Sequence, residues 1–130
     1  MATITAKLTL DSTNVSTNEG LNLSITDSLT VGPPSIGISQ IAVAVTGGSD
    51  TALVPSGAAN QYVYIKNTGY QSDGTTATTN QLSVKFASTE GLRIAAGEFA
   101  FLPSKSDVVI NAVSSGSHTI LVEYGYWTAA

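Results

Sequence analysis

Apolar and polar residues alternate one for one through much of this chain, and no other feature limits its fold so tightly. Successive side chains of a strand point to opposite faces, so a period of two marks a strand with one dry and one wet face. In the first segment Ile4, Ala6, Leu8 and Leu10 alternate with Thr3, Thr5, Lys7 and Thr9. A polar bend over Asp11–Gly20 follows. Leu21, Leu23, Ile25, Leu29 and Val31 then share a face interrupted by Asp27. Gly32-Pro33-Pro34 is expected to end this second strand, because proline cannot donate to a ladder.

Further segments follow the same logic. Ile36–Val45 becomes apolar at every position from Ile41 to Val45, the pattern of a strand covered on both sides. Ala52-Leu53-Val54 stops at Pro55, and Gln61–Lys66 is the clearest strand, followed by the turn residues Asn67-Thr68-Gly69. The Thr-rich stretch from Tyr70 to Asn80, with Asp73-Gly74, reads as an exposed loop or hairpin tip. Leu82, Val84 and Phe86 alternate with Ser83, Lys85 and Ala87; Leu92–Ile94, Glu98–Leu102 (stopped by Pro103) and Val108–Val113 supply three more strands. The last, Thr119–Trp127, places Ile120, Val122, Tyr124 and Tyr126 on one face and Leu121, Glu123 and Trp127 on the other. No stretch sustains apolar spacing at three and four residues, so no long helix is expected. The reading is a single all-β domain over residues 1–130, an antiparallel β-sandwich of eight to nine short strands. Long, uneven connections favour a jelly roll.

Charge is sparse. Charged residues make up 11% of the chain, against about a quarter in ordinary soluble domains. Polarity comes instead from 33 serines and threonines. Two readings compete: outward strand positions filled by good β formers, or a surface largely covered by neighbours, where a hydroxyl loses water at less cost than a charge. The five cations, Lys7, Lys66, Lys85, Arg93 and Lys105, are dispersed, which argues against nucleic acid as a partner. With no cysteine there are no disulfides and no thiolate chemistry. No apolar run approaches the ~20 residues of a membrane-spanning helix, and Met1–Lys7 does not have the form of a secretory leader. The expectation is a soluble chain made in a cytosol, with no membrane partner.

Chemistry finds little footing. His118 is the only histidine, beside Ser117 at the entrance to a strand, and no Gly-x-Ser-x-Gly presents a nucleophile. It is read as a turn or interface residue, whose protonation near pH ~6.5 would weaken an assembly built on it. The aspartates Asp11, Asp27, Asp50, Asp73 and Asp107 lie at turns and strand ends, where they commonly bond their own backbone. No acidic run has calcium-loop spacing and no glycine-rich phosphate loop opens a helix. The expectation is therefore no catalytic residue, no metal and no cofactor. Aromatics are the remaining candidates. Tyr62 and Tyr64 share one face of their strand, as do Tyr124 and Tyr126, so each pair serves either packing or contact with a partner. Trp127, near the C-terminal end, is the foremost interface candidate, because tryptophan is enriched at binding hot spots. Tyr126, Tyr124, Tyr62, Tyr64 and Phe101 complete the set.

Three runs carry a family resemblance: Gln61–Gly69 (QYVYIKNTG), Leu92–Pro103 (LRIAAGEFAFLP) and Val122–Trp127 (VEYGYW). They resemble small virion proteins of tailed bacteriophages, notably cyanophages, in which "YVYIKNT", "GEFAFLP" and a closing "EYxYW" occur in this order. The likeness covers the second half of the chain; residues 1–50 offer nothing as specific. It implies a capsid-decorating (cement) protein of jelly-roll or β-sandwich fold, commonly a trimer on the outer surface of the virion head, in contact with the major capsid protein. The alternative is a receptor- or glycan-binding β domain of a tail or fibre with Tyr62, Tyr64, Tyr70 or Trp127 as sugar platforms, or a minor head or tail component.

Overall fold

A computed structural model of the chain describes residues 2–16 and 19–130. Among them are nine strands and no helix: β1 (Ala2–Ser16), β2 (Glu19–Val43), β3 (Thr51–Val54), β4 (Gln61–Asn67), β5 (Leu82–Phe86), β6 (Thr89–Ile94), β7 (Phe99–Ser104), β8 (Ile110–Ser114) and β9 (Ile120–Ala129). One sheet has the order β1-β2-β9-β4-β7 and the other β3-β8-β5-β6. Taken from the two ends of the run inward, β2 neighbours β9, β3 neighbours β8, β4 neighbours β7 and β5 neighbours β6. These are the pairings of one long hairpin with β5–β6 at its tip. Rolling that hairpin also sets β9 against β4 and β8 against β5, which yields two four-stranded layers. This is the jelly roll, and the all-β sandwich expected from the alternation is the fold. The chain divides into two compact units, residues 1–32 with Ala130 and residues 33–129.

The larger unit, the body, holds the core. Val43, Val63, Ile65, Ile120, Val122 and Tyr126 from the first sheet meet Leu53, Val54, Leu82, Val84, Ile94, Ile110 and Ala112 from the second. Burying one such side chain contributes about 1.5–3 kcal/mol. In β4 burial alternates strictly, with Gln61, Val63, Ile65 and Asn67 inside and Tyr62, Tyr64 and Lys66 outside. Asn67, expected in a turn, is fully buried and ends the strand. Its Nδ2 donates to the carbonyls of Asn80 and Ile94, both at 3.0 Å, and its Oδ1 accepts from the Gly69 N–H at 3.0 Å. One amide therefore ties the connection after β4 and the end of β6 to the core. At the β5–β6 tip the Phe86 ring lies so close over Gly91 that any Cβ there would come within 2.5 Å of it.

The smaller unit is a two-stranded ribbon. β1 pairs with β2 from Ala2↔Val31 to Ser12↔Leu21 without a break, then at Ser16↔Glu19 after a shift of register. The bend expected over Asp11–Gly20 is thus mostly strand, and its residues 17 and 18 lie outside the described ones. The Ala130 N–H donates to the Thr30 carbonyl at 3.0 Å.

Other expectations need correction. β2 runs through Pro33 and Pro34, which a cis peptide bond joins, and does not end there. Side chains hold this stretch of β2 to β9 instead: the Thr128 Oγ1–H donates to the Pro34 carbonyl, and the Thr128 N–H donates to Ser35 Oγ at 3.2 Å. Likewise Pro103 does not stop β7, because β7 is the edge of its sheet, where a proline removes no bond that the sheet requires. The segment Ile36–Val45 is not covered on both sides. Only Val43 is buried there, and Ile38 is exposed.

Candidate functional site

Because Val63 and Ile65 face the core, the alternate residues of β4 and of its two neighbours build the outer face of the five-stranded sheet. Register sets three rows across it. Trp127 of β9, Tyr62 of β4 and Pro103 of β7 form the first; Gly125, Tyr64 and Phe101 the second; Glu123, Lys66 and Phe99 the third. Five aromatic rings therefore lie within three adjacent strands, together with one cation and one anion.

Each ring has a local cause. Trp127 is half-buried because it folds over Gly125, where an added Cβ would meet the indole Cη2 at 3.0 Å. Tyr62 and Phe101, diagonal neighbours, stack with ring centroids 6.5 Å apart and planes 8° from parallel. The Tyr64 hydroxyl donates to Glu123 Oε1 at 2.8 Å. Burial, with that bond and the charge of Glu123 adding to it, pushes the phenol up to about 12. Phe101 is 41% exposed and Phe99 64%, the most exposed large hydrophobic side chain of those described.

Of the six aromatic candidates drawn from the sequence, the structure brings four together on this face: Trp127, Tyr62, Tyr64 and Phe101. Tyr126 belongs to the core and Tyr124 packs against it. Phe99 was missed, although its spacing from Phe101 in an alternating run was a sufficient signal once β7 was placed at an edge.

Phe99 also lines a shallow groove of about 460 Å³ beside β6 and β7, each at the edge of its sheet. Leu92, Arg93 and Ile94 of β6 form one wall; Gly97, Glu98, Phe99 and Ala100 form the other. Its two ionisable side chains are engaged locally, Arg93 with Glu90 at 2.7 Å and Glu98 with the Ala95 N–H at 2.9 Å. That contact with Arg93 also lowers the Glu90 carboxyl below its ordinary range. Among the described residues no group of three His, Asp or Glu side chains could hold a metal ion. His118 lies exposed in the turn before β9, its carbonyl accepting from Asn80 Nδ2 at 3.2 Å. The 70–80 stretch is a hairpin tip closed by Asp73, which accepts from the N–H groups of Thr75 and Thr76 and from the Thr76 hydroxyl. These bonds, led by that hydroxyl, pull the exposed carboxyl down to about 2.

Neither a protein-family model nor a curated protein matches the chain.

Proposed function

We propose that the chain is a structural protein that decorates and stabilises a bacteriophage capsid from outside, as a homo-oligomer, with no catalytic step. The observation that carries the reading is the outer face of the five-stranded sheet: Tyr62, Tyr64, Phe99, Phe101 and Trp127 on rigid strands, with only Lys66 and Glu123 as charges. Aromatic anchors on a fixed scaffold, depleted of charge, are what the centre of a protein–protein interface requires. Such a face binds by losing water and has no group placed to make or break bonds. The jelly-roll order and the resemblance of Gln61–Gly69, Leu92–Pro103 and Val122–Trp127 to phage virion proteins point the same way. The partner is the major capsid protein, and the oligomer is a trimer.

Co-sedimentation with empty capsids tests the reading. The wild-type chain is expected to pellet with capsids, and Phe99→Ser/Phe101→Ser to stay in the supernatant. Both side chains are exposed, so the double variant keeps its fold. A wild-type chain that ignores capsids refutes the assignment. The exposure of Phe99 beside the β6–β7 groove favours one second reading, a glycan-binding domain. Binding of soluble oligosaccharides with loss in the same variant, and no binding to capsids, selects it.

A further inference from the structure

β7 is open on the side away from β4, and three observations describe the opening. The first concerns the backbone. Asn67 ends the β4–β7 ladder by donating its N–H to the Glu98 carbonyl at 3.0 Å and accepting from the Gly97 N–H at 2.8 Å. Bonding and non-bonding positions alternate along an antiparallel pair, so Ala100, Leu102 and Ser104 exchange bonds with Ile65, Val63 and Gln61. Phe99, Phe101 and Pro103 hold the other phase. The N–H groups of the two phenylalanines and the carbonyls of all three aim off the sheet, where no further strand follows among the described residues. Pro103 lacks its donor at a position where β4 asks for none.

Side chains supply the second observation. Phe99, Phe101 and Pro103 are exposed on the outer face, while Ala100 and Leu102, which point inward, are only half-buried. The edge is thus uncovered on both faces. Beside it runs the 460 Å³ groove, with Leu92, Arg93 and Ile94 as the far wall. The third observation is the missing guard. Sheet edges are commonly blunted by charge or by shortness. β6, the edge of the other sheet, carries the Glu90–Arg93 ion pair, and β3 has four residues. No residue of β7 is charged.

We propose that β7 takes an extended arm of the capsid protein as a further strand of the five-stranded sheet. The inference rests on the decoration reading above and deepens it by naming the form in which the partner engages. Only an extended chain answers all three features at once. Its backbone, ~4.8 Å from β7, supplies acceptors to the Phe99 and Phe101 N–H groups and donors to the three carbonyls. Its side chains fall alternately on opposite faces. One set enters the groove against Leu92 and Ile94; the other lies beside the Phe99 and Phe101 rings and continues the aromatic rows. A sugar or a flat protein surface covers rings but brings no paired donors and acceptors at strand spacing. Arg93 and Glu98 are already engaged, with Glu90 and the Ala95 N–H, so the side chains that enter the groove are uncharged.

Residue-resolved hydrogen exchange, on the free chain and on the chain bound to empty capsids, is the test. The Phe99 and Phe101 amides are expected to exchange fast in the free chain and at least tenfold more slowly in the bound one. The Ala100 and Leu102 amides, bonded to β4, should be protected in both. A pair of variants gives a second reading. Phe101→Ala removes the ring and keeps the donor, whereas Phe101→Pro removes both and takes no bond from β4. Phe101→Pro is expected to bind capsids at least tenfold more weakly than Phe101→Ala, with unchanged circular dichroism. The exchange measurement uses the wild-type chain and stands whether or not Phe101→Pro folds. Unprotected Phe99 and Phe101 amides in a capsid-bound chain, or equal binding by the two folded variants, overturn the arm and leave the decoration reading standing. Protection that appears without capsids and grows with protein concentration gives the edge to a second copy and also overturns the arm. A chain that ignores capsids overturns the decoration reading, and the arm falls with it.

Discussion

The ribbon and the body are written in the same code and use it differently. In β4 the apolar set Val63 and Ile65 is fully buried, because a second sheet lies across it. In β1 and β2 the equally regular set Leu8, Leu10, Leu21 and Ile25 stays exposed. Alternation decides which side chains share a face; it does not say what covers that face. The body supplies its own cover by rolling a hairpin, so its unspent surface lies elsewhere, in the aromatic rows outside the sheet. The ribbon has only two strands and cannot roll.

The largest expected effect puts this contrast under direct strain. Ile65→Ala empties a site in a closed core and is expected to cost about 3–4 kcal/mol of stability. Ile25→Ala, the same change on the ribbon, is expected to alter monomer stability by less than ~0.5 kcal/mol, as exposed substitutions do. Urea midpoints at one low protein concentration, where association is negligible, measure both. Equal losses would erase the distinction between the two regions.

The next effect sharpens what holds the body closed. Asn67→Ala is expected to cost about 2–3 kcal/mol, because it removes from a fully buried position the amide that donates to the carbonyls of Asn80 and Ile94. Its read-out is the same urea midpoint, together with faster amide exchange in the segments that Asn67 ties down. The ribbon, which has no part in that network, should exchange as before.

How much of this was legible beforehand follows from the range over which each signal acts. Period-two faces are local, so the strand positions in β1, β4, β5 and β9 and the sharing of one face by Tyr62 and Tyr64 could be read from the residues alone, but not which face turns outward. Strand order was not legible, since β9 lies between β2 and β4 only after the hairpin has rolled. That ignorance produced the specific errors. Pro103 stops a strand only if the strand is internal, and Pro33-Pro34 interrupts one only if no side chain bonds that stretch to the neighbouring strand. Tyr124 and Tyr126 looked like Tyr62 and Tyr64 in sequence, and only their opposite phase relative to the core separates packing from display. Asn67 read as a turn residue because its partners, Asn80 and Ile94, lie 13 and 27 positions away.

The smallest effect concerns charge on the aromatic face. Tyr64 is held neutral to about pH 12 by its surroundings and by its bond to Glu123. A group whose pKa is raised in the folded state contributes stability below its ordinary value of about 10, lost as pH climbs from there to about 12. Absorbance at 295 nm is expected to show one tyrosine ionising late, and Tyr64→Phe to remove that step. A titration without a late tyrosine would mean that the face is wetter than described.

Oxidative footprinting of the chain, free and mixed with capsids, tests the central claim most directly. Tyr62, Phe99, Phe101 and Trp127 should all react less when capsids are present. Tyr70, exposed on the 68–81 connection and not part of the three rows, should react equally in both states. Undiminished labelling of the four rings in a sample where the chain is shown to be capsid-bound would contradict the claim that this face makes the contact.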